Sequence, residues 1–167
     1  MNEELEIKPT EQPKPEEKKI NLTDKDKENF FKAFLSDQPY KETISLFDGK
    51  LIVQFRTLNL DENDLIFRQI EYDQVKGVAK DSDSYLIRIM QYRLASSLVK
   101  LNEEPFCENV TPEEYPADKE KGETYLLERL KVMSKWPTFK LGAISDAFNA
   151  FEAKVRQLTK EAFTEPF

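Results

Sequence analysis

The sequence predicts a mainly α chain of the α+β class, with about five helices and one β-hairpin at roughly 43–58. Three observations predict it. Asp48-Gly49 sits between two runs of alternating hydrophobicity. Apolar residues recur three and four apart in the segments that follow. Prolines and acidic clusters stand where those runs stop. Residues 1–22 read as a disordered or extended N-terminal arm, and 23–167 as a single helical domain carrying the hairpin and an acidic, Pro-containing loop at about 102–121.

In the arm, Pro9, Pro13 and Pro15 lie among Glu and Lys with no aromatic residue. Such a segment buries too little apolar area to offset its ordering entropy. It is a solvated tail or an arm that orders on a partner. Thr23 can cap a first short helix through its hydroxyl. Phe30, Phe31, Phe34 and Leu35 follow at helical spacing, and Pro39 ends the run.

Thr43–Phe47 and Lys50–Leu58 flank Asp48-Gly49, a pair suited to a type I′ turn. A two-residue turn sets the register: Phe47 opposite Lys50, Leu46 opposite Leu51, Ser45 opposite Ile52, Ile44 opposite Val53. Ile44, Leu46, Leu51 and Val53 then share one face. Thr43, Ser45, Gln54 and Arg56 fall mostly on the other. An isolated hairpin is marginal in water, so it packs on the helices or a partner completes its edge.

Asp61 can cap a second helix, with Leu60 and Leu65 as its hydrophobic staple. Ile66, Phe67 and Ile70 continue it, and Gly77 stops it. Ser82 or Asp83 caps a third, whose stripe runs through Leu86, Ile89, Met90, Leu94, Leu98 and Leu101. Pro105, Pro112 and Pro116 then interrupt the pattern. Cys107 lies here, and its acidic neighbours disfavour the thiolate. Tyr125–Met133 form a fourth helix, closed by Trp136-Pro137. The last runs from about Thr138 towards Phe163. Its Leu141, Ile144, Phe148, Phe151, Val155, Leu158 and Ala162 form an a/d stripe. That stripe packs on the chain's own core or pairs with another chain, and its two Phe suit the core better.

Composition excludes several chemistries. The 167 residues contain no His and one Cys. A zinc site, a Ser-His or Cys-His nucleophile and an intramolecular disulfide are therefore all beyond this chain alone. The four glycines are isolated, so there is no phosphate-cradling loop. Asp61, Glu62 and Asp64 could be drawn as a Mg²⁺ cluster, but a helix start explains them as capping and dipole residues. We therefore expect no enzyme activity, no catalytic residues, no cofactor and no metal. The net charge of −7 lacks the basic footprint of a nucleic-acid binder. No apolar run approaches the ~18 residues of a membrane span, and the acidic first residues are not a signal peptide. A reducing, cytoplasm-like compartment is expected.

The order of parts resembles a known family. An aromatic helix leads into Leu46-Phe47-Asp48-Gly49-Lys50, then Phe55-Arg56-Thr57-Leu58 and a helix with an acidic start. Tyr92-Arg93-Leu94-Ala95 lies in the next helix, and the last ends near an aromatic residue. Over roughly residues 28–167 this layout resembles tail assembly chaperones and minor tail or baseplate proteins of tailed bacteriophages. The resemblance implies binding of tape-measure or tail-tube protein in the host cytoplasm, without chemistry. The N-terminal arm is a departure that suits a structural virion component (a connector, baseplate or capsid-associated subunit) equally well. Expected partners are thus phage proteins, with no nucleic acid and no membrane, and with homo-oligomers possible. The candidate partner-binding residues are Phe47, Ile52 and Phe55 on the hairpin and Phe148, Phe151 and Val155 on the last helix.

Overall fold

A computed structural model describes residues 20–78, 82–107 and 119–164. They form α1 (Asp24–Leu35), β1 (Lys41–Leu46), β2 (Leu51–Arg56), α2 (Leu60–Val75) and α3 (Asp83–Ser97), then β3 (Leu98–Leu101), β4 (Glu104–Pro105), α4 (Lys119–Met133) and α5 (Thr138–Thr164). Among the described residues the fold is mainly α, with five helices and one antiparallel sheet in the order β1-β2-β3-β4. Of the expected arm, residues 1–19 lie outside the described residues, as do 108–118 of the expected loop. Among the described residues, no helix is long and apolar enough to cross a membrane.

The hairpin has the register its turn dictates. Leu46 pairs with Leu51, Ser45 with Ile52 and Ile44 with Val53. The ladder stops at Leu46–Leu51, and Phe47 and Lys50 close the turn through Lys50 N–H donating to the Phe47 carbonyl at 3.2 Å. Phe47, Asp48 and Gly49 all have positive φ (52, 54 and 85°), so one residue more than the Asp-Gly pair is left-handed. Val53 is buried, and Ile44, Leu46 and Leu51 pack partly buried against the core, as their shared face requires.

Four expectations need correction. The third helix does not extend to Leu101. It ends at Ser97, and Leu98–Leu101 become β3 on the free edge of β2. Leu98 and Val99 bury their side chains as well on a strand, and the strand also satisfies the backbone groups of β2. Leu86, expected on the inner stripe, is 65% exposed. The cap of α2 is Asn59 rather than Asp61: its side chain accepts from Glu62 N–H, and the Glu62 carboxylate accepts from Asn59 N–H. Leu60 is then the first helical residue and points outward. Arg56 is not on an outer face. The β2–β3 register shifts between Gln54 and Phe55, and beyond that irregularity Phe55 and Arg56 are both buried.

The remaining boundaries follow the signals. Thr23 caps α1 in a capping box with Asp26. Ser82 caps α3, accepting from Tyr85 N–H. Gly77, at φ 103°, follows the last turn of α2. Helix α4 begins earlier than Tyr125, at Lys119. The heptad stripe of α5 faces the chain's own core: Ile144, Phe148, Phe151 and Leu158 are buried, and Leu141 and Val155 partly so. Phe55 meets two rings of α5, 5.5 Å from Phe148 and 5.7 Å from Phe151.

Helix α1 is attached differently. None of its residues is buried. Lys154 of α5 holds it with an ammonium that donates to Asp26 and to Glu42 of β1, both at 2.8 Å. Just before α1, the Ile20 N–H donates to the Gln157 side chain and the Ile20 carbonyl accepts from it, each at 2.9 Å.

Candidate functional site

Where β2 runs into α2, the chain leaves a cleft of about 300 Å³ against α3 and α5. Phe148, Phe151 and Val155 of α5 supply apolar lining, with Leu58 from the β2–α2 connection. Arg56, Arg93 and Arg156 bring guanidinium groups to the same cleft, and Glu152 brings one carboxylate.

Each arginine is held differently. Arg56 is buried and fixed on both prongs. Its Nη1 donates to Glu62 Oε2 at 2.9 Å, and its Nη2 to Glu62 Oε1 and, at 3.2 Å, to the Ser96 carbonyl. Ser97 Oγ donates to the Arg56 carbonyl at 2.6 Å, which ties the end of β2 to the end of α3. Arg93 pairs with Glu152 across α3 and α5, and its side chain remains 45% exposed. Arg156 is exposed and makes no ion pair with any described residue. Among the described residues the site thus grades from a neutralised, buried cation to an exposed one without an ion pair. Anions meet the free end first, since an exposed guanidinium keeps its charge and five donors.

A second buried arginine lies behind β3. Arg129 of α4 donates to the Ala95 carbonyl at 2.8 Å and the Leu98 carbonyl at 2.7 Å, closing the α3–β3 junction. It also stacks 5.4 Å from the Phe106 ring. Cys107 sits nearby, half-buried. Burial pushes its thiol up from the ordinary value, Arg129 opposes this, and Glu128 adds to it. Desolvation outranks acidic neighbours as the reason the thiolate is disfavoured.

The structure gathers three of the six candidate partner-binding residues at this cleft: Phe148, Phe151 and Val155. Phe55 is fully buried beneath them and has no surface to offer. Phe47 is 62% exposed at the tip of the hairpin turn, and Ile52 is half-buried on β2; neither lines the cleft. Arg156 escaped the sequence reading, although it stands one turn after Glu152 and directly after Val155, a position on the rim of the heptad stripe. Arg93 entered the sequence reading only within the Tyr92-Arg93-Leu94-Ala95 run.

No protein-family model, no curated protein and no solved structure matches this chain. The cleft therefore speaks through its chemistry alone. Its hydroxyls are Thr57 and Ser97, and Ser97 is spent on the Arg56 carbonyl. Its carboxylate is tied to Arg93. The lining combines an apolar floor with charge-assisted donors at the edge, which suits recognition.

Proposed function

We propose that this chain is a non-enzymatic protein-binding protein of tailed-phage assembly, and that the arginine-lined cleft is where its partner docks. The observation that carries this is the meeting in one cleft of an apolar floor (Phe148, Phe151, Val155) and two outward guanidiniums (Arg93, Arg156). An apolar side chain next to a carboxylate satisfies both. The floor removes apolar surface from water, and the rim fixes the direction of the acid. The layout resemblance supplies the setting: a chaperone that keeps tape-measure or tube protein soluble until the tail polymerises. The net charge of −7 supports that task by keeping the carrier soluble.

The test is affinity capture from infected cells with the wild-type chain and with Val155→Asp and Arg156→Glu. Recovery of tape-measure or tube protein by the wild type, and its loss with both variants, is the expected result. Recovery undiminished by both would remove the cleft from the interaction, and failure to recover any tail protein would remove the chaperone role. Mass spectrometry of purified virions separates the alternative role, since a structural component is present there in stoichiometric amount and a chaperone is not.

A further inference from the structure

The outer face of α2 takes no part in the cleft or the core. Leu60, Phe67 and Val75 stand on it 76, 62 and 84% exposed. At ~100° per residue they fall within an arc of about 80° on one side of the helix, over a length of about 22 Å at 1.5 Å per residue. Asp64 and Glu71, both exposed, fall within the same arc between them. Glu62, Leu65, Ile66 and Ile70 occupy the opposite, buried face. Helix α2 is therefore apolar on two sides, and among the described residues only the inner one is covered.

We propose that this strip docks a basic amphipathic helix of a partner protein. The strip alternates a large apolar side chain with a carboxylate, and its complement alternates apolar residues with Lys or Arg at the same helical spacing. The charge pattern selects against the other occupants. A second copy of α2 would set Asp64 and Glu71 against their own kind. An acidic helix or an anionic lipid surface would meet the same repulsion. Arg68, the cation beside the strip, already interacts within the chain, so the acids dominate the face. This surface stands independently of the cleft, whose rim has the opposite sign.

Two synthetic helical peptides test it on the full chain. One has Leu at seven-residue spacing with Lys between; the other replaces each Lys with Glu. The Lys peptide is expected to shift the amide resonances of α2 and to bind about tenfold or more tighter than the Glu peptide. The charge reversal Asp64→Lys with Glu71→Lys is expected to invert that order, and Phe67→Ser to weaken the Lys peptide by about tenfold. These side chains are exposed, so the variants should retain the wild-type circular dichroism spectrum. Absence of binding, equal affinity for the two peptides, shifts centred on the cleft, or an order unchanged by the reversal would each overturn the proposal. So would sedimentation showing a dimer of the chain alone that Phe67→Ser dissolves, because a second copy would then be the occupant.

Discussion

Arg56 and Glu62 form a two-pronged ion pair with side chains 2% and 0% exposed, at the hinge between the last residue of β2 and the first turn of α2. Glu62 also completes the capping box of α2, so one carboxylate serves the helix start and the buried cation at once. Removing either partner leaves a charge buried without its counterion. Arg56→Met and Glu62→Gln are each expected to cost about 3–5 kcal/mol in urea unfolding. The double variant is expected to lose clearly less than the sum of the two. Additive losses would show that the two side chains act separately.

Asp26 gives the fold an acid-sensitive fastening. Burial alone would raise its carboxyl, but hydrogen bonds from Lys154 and Thr23 outweigh this and hold it at about 2, against an ordinary 3.8. A depressed carboxyl contributes stability that is complete above its unfolded value and is lost as pH falls through its folded one. The loss should run from about pH 4 to about pH 2 and amount to roughly 1–2 kcal/mol. Unfolding measured across that range should show a shallower slope for Lys154→Met than for the wild type. Lys154 has the opposite sign. Burial would lower it, but Asp26 and Glu42 raise it above 10.5, so its contribution is present below that value and fades only above it.

Ser145 is buried in α5, and its hydroxyl has no hydrogen-bond partner among the described residues. Ser145→Ala removes a desolvated polar group and improves helix propensity. It is expected to stabilise the chain by about 1 kcal/mol, read as a higher denaturation midpoint. A loss of stability would mean the hydroxyl is satisfied in solution.

The hairpin turn should respond in opposite directions at two neighbouring positions. Gly49, at φ 85°, occupies a conformation that a Cβ strains, so Gly49→Ala is expected to cost about 1–2 kcal/mol. Phe47 is left-handed without being glycine and is mostly exposed. Phe47→Asn is expected to stabilise by about 0.5–1 kcal/mol. If the same variant also weakens partner capture, the bulky ring at the turn is kept for contact.

Local signals were legible in the sequence wherever one short-range rule acted alone. The Asp48-Gly49 turn, the Thr23 cap and the stripe of α5 follow from backbone sterics and helical period. Misreadings arose where a distant partner decided. Leu98 and Leu101 continue a helical stripe by spacing, yet the open edge of β2 recruits them as a strand. Arg56 alternates outward by strand period, yet the register shift and Glu62 bring it inside. The cleft was half legible. Phe148, Phe151 and Val155 stood out by their apolar spacing. No sequence pattern set Arg93 or Arg156 apart; the fold brought them beside that floor.

The side-chain hydrogen bonds that tie α1 and its approach to α5 come from residues well over a hundred positions later: Lys154 lies 128 residues after Asp26, and Gln157 lies 137 after Ile20. On a ribosome adding ~5–20 residues per second, α1 would wait roughly 6–26 seconds for Lys154 to be added. During that interval its Phe30 and the Tyr40 ring it meets at 5.7 Å have no finished surface to close on. The last helix to be synthesised thus fastens the first, and a chain interrupted before Lys154 would present an aromatic flank that quality control can recognise.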